Sequence, residues 1–361
     1  MSENVVMHEH GHQTQAHPVN GGDPKFKLLS NAKLVNCIPE EIELDVLPVP
    51  SVGKWGRVVH GVRLLRSLKR YDALIVFNAD IDDAILAFVA KRILRRKTSI
   101  IFFDALLQRP VGLKGICKSR IKRALFAGVD RFFCVHKDTS GYQRYYGIDA
   151  AKFVYIPFKA NNFHDRLKYK SGDEGYVLAC GASLRDYRTF VEAADRMKVP
   201  AKIMLPKKNA AEFHNTDLDE ARLPSCVEVI RHDFDKHSWN QIMANARVVV
   251  IPIQGSAIQA AGISASLEAM AIGKPVVITE GVSTRGMLTG AEAEIVPAGD
   301  PVSMYRAIRK LWDDAGYRER LAKAGQDYAV SLGGVERMAK DILLATCACV
   351  RERSHAKSAN K

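Results

Sequence analysis

The sequence predicts an α/β protein of two domains, each with a parallel β-sheet covered by helices. Its 361 residues are enough for about two domains, and an apolar content of 47% can give each domain a core. Short β-branched and aromatic runs alternate with longer amphipathic stretches, which is the pattern of parallel strands joined by crossover helices. Because six such runs occur in each half, we expect two Rossmann-like domains whose parallel sheets face a central cleft.

Six predicted strands occupy the first half, with helices between them. They lie at residues 25–29, 42–47, 73–77, 99–103, 131–135 and 153–156. Asp80 or Asp82 is expected to cap a helix that runs to about Arg96, since an aspartate at a helix start accepts hydrogen bonds from the first backbone amides. A helix is also predicted at 114–127, and the polar stretch at 159–174 is interpreted as an interdomain linker.

The second half begins a new series of six strands. They lie at residues 176–180, 202–205, 227–230, 248–253, 276–279 and 294–296. Pro301 is expected to start a helix, and Gly333-Gly334 breaks the chain before a last helix at about 335–350. These features divide the chain as follows: a flexible tail at 1–23, an N-terminal domain at 24–165, a C-terminal domain at 166–330, and a C-terminal helix with a tail at 331–361.

The net charge of +13 is carried almost entirely by the first half. Residues 1–170 hold 28 Lys and Arg against 16 Asp and Glu, whereas residues 171–361 hold 25 against 24. The excess positive charge is concentrated at 57–70, 91–97 and 114–123. It indicates either an ordinary solvated surface or attraction to an anionic membrane. In 57–70 the apolar positions share a face, which suits packing on a sheet or lying on lipid. The basic runs lack interleaved aromatic residues and nucleic-acid-binding motifs, which argues against nucleic acid as a partner.

The remaining composition indicates a cytoplasmic protein. Apolar runs such as 248–253 and 342–350 are far shorter than the roughly 20 residues of a membrane-spanning helix. The seven cysteines form no CxxC pair, which favours free thiols in a reducing cytosol. The N-terminal tail has no secretory h-region, and its histidines at 8, 10, 12 and 17 indicate either a tag-like disordered stretch or a metal-binding HxHxH.

The stretch at 251–279, IPIQGSAIQAAGISASLEAMAIGKPVVIT, carries the candidate site. An apolar strand leads into a Gly-, Ser- and Ala-rich loop and then into a helix that begins near Gly262, at the sheet edge where open α/β sheets bind ligands. Unpaired amides of Gly262, Ile263 and Ser264 would face an anion there, favoured by the helix dipole. Glu268 lies one turn further on and is interpreted either as a ribose-binding carboxylate or as an acid that stabilises the helix dipole.

The run at 267–277, LEAMAIGKPVV, resembles the signature of retaining glycosyltransferases of the family 4 type, which have the GT-B fold. The similarity extends over most of 175–330 and is weaker in the first half. In the segment that starts at Gly181, Arg185 stands at the position of the family's phosphate-binding lysine, followed by Arg188. A guanidinium suits this role because it is always charged and grips two phosphate oxygens. The resemblance also implies that the last helix crosses back onto the N-terminal domain.

The chain departs from the family pattern at three positions. The first glutamate of the family's pair is replaced by Ala260, with Gln259 as the nearest polar substitute. The arginine after the first strand of the second domain is replaced by Ala182, and a histidine of the first domain by Asp104. These losses leave open a catalytically silent protein with the same fold.

The resemblance implies transfer of a sugar from a nucleoside diphosphate sugar to a hydroxyl, with retention and without a metal or cofactor. Arg185 and the amides at 262–264 would stabilise the departing diphosphate. A lipid-linked or polyanionic acceptor in cell-surface polysaccharide or glycolipid synthesis fits the basic first half, and the base-selecting loop is expected around 231–236. A nucleotide-sugar epimerase or hydrolase is the alternative enzyme. Glu268→Ala is expected to weaken nucleotide binding without unfolding the domain.

Overall fold

The computed structural model describes residues 26–34, 38–47, 54–206, 216, 218–232 and 235–358. The predicted tail at 1–23 and its histidines lie outside these residues. The chain forms two units. Unit 1 contains the described residues up to Val135, Thr139–Ile156 and those from Glu336 onward, whereas unit 2 contains His136–Asp138 and Pro157–Val335.

Each unit is built on a sheet of six parallel strands, and all twelve predicted strands are present. In unit 1 they are β1 (Phe26–Ser30), β2 (Ile42–Val46), β3 (Ala73–Phe77), β4 (Ser99–Phe103), β5 (Arg131–Cys134) and β6 (Phe153–Tyr155). In unit 2 they are β7 (Val177–Cys180), β8 (Ala201–Pro206), β9 (Val227–His232), β10 (Val248–Ile251), β11 (Val276–Thr279) and β12 (Glu294–Val296). The strand order is β2-β1-β3-β4-β5-β6 in one sheet and β12-β11-β10-β7-β8-β9 in the other, which confirms two Rossmann-like sheets.

The connections between strands are mostly helical, as parallel pairing requires. The α-helices are α1 (Lys54–Ser67), α2 (Ile81–Phe88), α3 (Gly112–Leu125), α4 (Ser140–Tyr146), α5 (Phe163–Arg166), α6 (Tyr187–Met197), α7 (Lys236–Asn245), α8 (Ile263–Ala271), α9 (Pro301–Asp313), α10 (Ala315–Leu332) and α11 (Val335–Ser358). Short 3-10 turns occupy Leu68–Arg70, Phe126–Gly128, Ala150–Lys152 and Glu220–Arg222, and a π-helical turn, Val89–Ile93, continues α2. Apart from its first residue, α11 belongs to unit 1.

Two helix starts follow the chemistry expected from the sequence. Asp80 accepts hydrogen bonds from the amides of Asp82 and Asp83 and forms a capping box, so the Asp80/Asp82 pair begins a helix as predicted. Asp300 caps α9 ahead of Pro301 at the first helical position. The strand predicted to reach residue 253 ends at Ile251, because Pro252 has no amide to donate to a ladder.

The sheet of unit 2 is buried on both faces. Along β7, Leu178 and Cys180 belong to one hydrophobic cluster, whereas Val177 and Ala179 belong to another. This alternation explains why the strand reads as a continuous apolar run.

The segment predicted as a linker, 159–174, is instead packed into unit 2. It contains α5, and the side chains of Lys159, Phe163 and Arg166 are buried. Its polar composition suggested exposure, but Arg166 is paired with partners that are distant in sequence, as described below.

We expect Gly128→Ala to destabilise unit 1 by about 1–3 kcal/mol or more, because a Cβ at this position would lie 2.4 Å from the backbone carbon of Ala87. The free energy of unfolding from urea denaturation measures the effect. Gly61→Ala is the matched control: this glycine lies within α1 and has open space around its Cβ position, so alanine should stabilise by about 0.5–1 kcal/mol. Equal effects of the two substitutions would contradict the packing described here.

Candidate functional site

The candidate site lies at the carboxyl edge of the unit 2 sheet. The first strand of this unit, β7, has β8 on one side and β10 on the other, so the strand order reverses between β7 and β10. Loops that leave such a reversal diverge and open a crevice for ligands. The loop after β7 carries Arg185, and the loop after β10 carries Gln259 and leads into α8.

The start of α8 is open to an anion. Gly262, its N-cap, has φ +81° and ψ −10°, and no side chain of the described residues caps the helix. A Cβ on Gly262 would lie 2.6 Å from the Cγ2 of Ile251, so both the backbone conformation and the packing require glycine. The amides of Ile263 and Ser264 in the first turn therefore remain available for a negatively charged group.

Glu268 is buried one turn into α8 and is held by three donors. The Nη2 of Arg166 lies 2.8 Å from its Oε2, and its Oε1 accepts hydrogen bonds from the Ser264 hydroxyl at 2.7 Å and from the Asn161 amide at 3.0 Å. A carboxylate offers about four acceptor directions, so three donors leave about one. Glu268 is thus the acidic centre of a polar network and not only an acid that interacts with the helix dipole.

The segment after β6 completes this network. Its residues were not predicted as site residues from the sequence. The Asn161 side-chain amide donates a hydrogen bond to the Ser264 hydroxyl at 2.6 Å, and its oxygen accepts one from Lys159 at 2.5 Å. Arg166 donates to the backbone carbonyl of Asn161 at 2.7 Å and to the side-chain oxygen of Asn240 at 2.6 Å. A signal existed in the cluster of Lys, Asn and Arg at 159–166, directly after a predicted strand. Its partners lie about 100 residues further along the chain, beyond the range of local patterns.

Arg185 is buried against the carboxyl end of β7. Its Nε donates to the Cys180 carbonyl at 2.9 Å and its Nη1 to the Ser183 carbonyl at 2.7 Å, while its Nη2 has no partner among the described residues. The backbone of Arg185 forms an isolated bridge with Ile253, which places it beside the loop after β10. A Cβ on Gly181 would lie 2.1 Å from Nη2, so this glycine, with φ +115°, makes room for the guanidinium.

The buried charges meet around Cys180. Burial raises the pKa of its thiol to about 12. The negative charge of Glu268 also raises this pKa, whereas the positive charges of Arg185 and Arg166 lower it. All three charges are therefore close to the last residue of β7. Arg188, by contrast, is exposed on α6.

Gln259 lies in a polar cleft of about 150 Å³ between the loops that follow β10 and β11. The residue is buried, and its Oε1 atom has no hydrogen-bond partner among the described residues. The cleft is lined by Ile253, Gln254, Gly255, Ala257, Gln259, Glu280, Gly281, Val282, Ser283, Arg285, Pro297 and Ala298. A buried unpaired carbonyl oxygen is costly, and a hydroxyl ligand would satisfy it.

The loop expected to select the base, 231–236, is only partly described. Arg231 pairs with Glu220, and His232 is within 2.8 Å of the Ser238 hydroxyl. Residues 233 and 234 lie outside the described part of the chain. Within that part, no cluster of three or more His, Cys, Asp or Glu side chains could hold a metal ion.

Comparison with known proteins supports the family resemblance. Residues 185–314 match the family model described as Glycosyl transferases group 1. HepE from Anabaena, solved with UDP and glucose, is 14% identical with a TM-score of 0.58 over 85% of this chain and 86% of that one. A glycosyltransferase from Rickettsia africae ESF-5 is 12% identical with a TM-score of 0.62, over 86% of each chain.

Sucrose-phosphate synthase from Thermosynechococcus elongatus shows the same likeness, at 15% identity and a TM-score of 0.56 over 90% of this chain and 87% of that one. No curated protein matches the sequence. At such identities the likeness is one of fold. The chain therefore has the GT-B fold, and its second unit contains a region that matches the glycosyl transferases group 1 model.

We expect Glu268→Ala to lower the free energy of unfolding by about 3–5 kcal/mol, because it leaves the Arg166 guanidinium buried without its counter-ion. The sequence-based expectation that this variant weakens nucleotide binding without unfolding the domain stays a prediction, to which the ion pair adds a loss of stability. Glu268→Gln keeps a hydrogen-bond acceptor and should cost less. Urea denaturation monitored by circular dichroism measures both, with the exposed Glu319→Ala as control. A Glu268→Ala variant as stable as the control would refute a structural role for the ion pair.

Asp104, at the carboxyl end of β4 in unit 1, makes the stability of the folded state depend on pH. Burial raises the pKa of its carboxyl group to about 6, and its backbone has φ +49°. The folded state therefore binds this proton more tightly than the unfolded chain does, so stability falls as pH rises from about 4 to about 6.

Replacing Asp104 by asparagine removes this titration and keeps a side chain that tolerates a left-handed backbone. Asn78, at the end of the neighbouring strand β3, already has φ 51°. We expect Asp104→Asn to be more stable than the wild type by about 1–3 kcal/mol at pH 7 and equal to it below about pH 4. Urea denaturation across this pH range tests the prediction, and parallel curves would contradict it.

Proposed function

We propose that this protein transfers a sugar from a nucleoside diphosphate sugar to a hydroxyl acceptor, with retention of the anomeric configuration and without a bound metal or cofactor. The observation that carries the proposal is the uncapped start of α8, with Gly262 at its N-cap and Glu268 buried one turn inside, at the strand-order reversal of a group 1 glycosyltransferase domain.

The diphosphate would bind at the start of α8. The amides of Ile263 and Ser264 supply donors there, and the helix dipole favours negative charge. Arg185, in the neighbouring loop, has its Nη2 without a partner among the described residues, and this group can donate to a phosphate oxygen. Arg188 lies three residues further along the chain, where it is exposed on α6. It would contact the ligand only through its long side chain.

The ribose would bind Glu268. Because Ser264 and Asn161 already donate to Oε1, a ribose diol must replace one of these donors or use the remaining direction on Oε2. The Arg166 ion pair keeps the carboxylate charged and oriented during this exchange. Glu268 thus acts on the nucleotide and not on the reacting bond.

Gln259 would read the sugar. Its Oε1 is an unpaired acceptor in the cleft beside the loop after β11, and it stands next to Ala260, where the family pattern has a glutamate. A neutral amide oxygen can accept from a sugar hydroxyl and restore the hydrogen bond that the buried group lacks.

The chemical step would be departure of the diphosphate. Negative charge grows on the leaving phosphate as the anomeric carbon becomes cationic, so donors placed in advance stabilise the transition state more than the ground state. Arg185 and the first amides of α8 have this arrangement. The acceptor hydroxyl would pass its proton to the departing phosphate as the new glycosidic bond forms.

Uracil is the base to test first, because the similar HepE structures contain UDP or UDP-glucose. The acceptor that we propose is a saccharide or a lipid-linked intermediate of cell-surface polysaccharide or glycolipid synthesis. The excess positive charge of the first half would hold the protein peripherally at an anionic membrane, on the cytoplasmic face. No helix of the described residues is long and apolar enough to cross a bilayer.

Nucleotide binding tests the proposal directly. We expect UDP at about 100 times its Kd to stabilise the protein by about 2.7 kcal/mol, or about 3–4 °C in Tm, with smaller shifts for GDP, ADP and TDP. Thermal-shift measurements with the four diphosphates check this, followed by chromatography of nucleotide-sugar reactions. Absence of any shift would indicate a silent protein, and epimer formation would indicate the alternative enzyme.

The role of Gln259 predicts a separate outcome. Gln259→Leu should leave UDP affinity unchanged and lower the affinity for the matching UDP-sugar about tenfold, because one hydrogen bond to the sugar is lost. The variant should be at least as stable as the wild type, since it removes a buried unpaired oxygen. Calorimetric titration with UDP and with the UDP-sugar measures the difference, and Arg196→Gln at an exposed position of α6 is the control. Equal losses for both ligands would disprove a sugar-reading role.

A further inference from the structure

The positive charge of unit 1 is concentrated on one stretch of chain. Between residues 84 and 129 there are eleven Lys and Arg and a single acid, Asp104, a balance of +10 within 46 residues, against +13 for the whole chain. Lys91 pairs with Asp130, which neutralises one of these charges. Most of the remaining charge lies on α3 and on the turn that follows α2.

Helix α3 has an apolar stripe on its outward face. Its only buried residue is Ser119, which marks the inward side. At 100° per residue, Leu113, Cys117 and Ile121 follow one another at four-residue spacing on the side away from Ser119, and all three are exposed. Leu113 is 84% exposed and Val111, immediately before the helix, is 81% exposed.

Basic residues border this stripe on both sides. Arg120 lies along one edge, and Lys114 and Lys118 lie along the other, all of them exposed. A stripe of aliphatic side chains between rows of cations matches a helix that lies in the plane of a membrane surface, where apolar groups enter the acyl boundary and cations meet lipid phosphates. Protein–protein interfaces are depleted of lysine relative to the rest of the surface, so this lysine-bordered stripe suits a lipid surface better than a protein partner.

We propose that α3 is the membrane-docking element of this protein and that its partner is an anionic lipid bilayer. Leu113 and Ile121 would insert between lipid headgroups, with Val111 beside them, while Lys114, Lys118 and Arg120 would contact the phosphates. The inference rests on the membrane association proposed above and gives it a defined surface. Among the three basic segments identified from the sequence, it selects 114–123, whereas the sequence-based interpretation of a helix lying on lipid was made for 57–70.

Vesicle binding of the full-length protein tests the proposal. In co-sedimentation with phosphatidylcholine vesicles containing about 30% phosphatidylglycerol, we expect binding at about 50 mM salt that weakens strongly at about 500 mM, and little binding to pure phosphatidylcholine. The double variant Leu113→Ser/Ile121→Ser should bind anionic vesicles at least about tenfold more weakly. Both side chains are exposed, so serine should leave Tm unchanged.

The matched control is Val59→Ser/Val62→Ser, which removes two exposed apolar side chains from α1. We expect this variant to bind vesicles like the wild type. Loss of binding in the α1 variant alone, unchanged binding of the α3 variant, or equal binding to neutral and anionic vesicles would overturn the proposal.

A second measurement reports on the stripe itself. An environment-sensitive fluorophore on Cys117 should shift to shorter wavelength when anionic vesicles are added, with Cys117→Ser protein as the labelling control. A shift that depends on protein concentration without lipid would show that a second copy covers α3, which would also overturn the proposal. The UDP-induced change in Tm should be the same in the α3 variant and the wild type, so failure of membrane docking and failure of nucleotide binding are distinguishable.

Discussion

The buried ion pair between Arg166 and Glu268 is the interaction on which the rest of the candidate site depends. It connects the segment after β6 to helix α8. Asn161, in the same segment, donates hydrogen bonds to Ser264 and Glu268 of this helix. A buried charge is costly unless it is paired and hydrogen-bonded, and here Asn240 and the Asn161 carbonyl accept two further hydrogen bonds from Arg166. The arrangement holds a carboxylate ready beside an uncapped helix start.

Two glycines give this site its shape. Gly181 leaves space for the Arg185 guanidinium over the end of β7, and Gly262 lets α8 start against the side chains of Ile251 and Ile253. Both have positive φ, so a side chain would add backbone strain to a steric clash. The site therefore combines a polar network with two positions that have no room for a side chain.

The two units differ in their electrostatic character, and the difference matches the proposed division of labour. Unit 2 contains the group 1 region and the paired charges around Cys180. Unit 1 carries the unbalanced positive charge and the exposed apolar stripe of α3. Chemistry on a nucleotide sugar needs preorganised, desolvated donors, whereas attachment to a bilayer needs mobile surface cations and exposed apolar groups.

The sequence by itself determined the twelve strands, a helix start at Asp80 or Asp82, and the places of Gly262 and Glu268 at the start of α8, because these depend on local periodicity, capping chemistry and a contiguous motif. Only the tertiary structure decided that Lys159, Asn161 and Arg166 belong to the site, since the α8 partners of Asn161 and Arg166 lie about 100 residues away and a polar segment looks alike whether it is solvated or buried in a network. It also decided that Gln259 is buried with an unpaired oxygen and that the apolar positions of α3 face outward. Helical periodicity identifies a stripe, but only packing decides which side is covered.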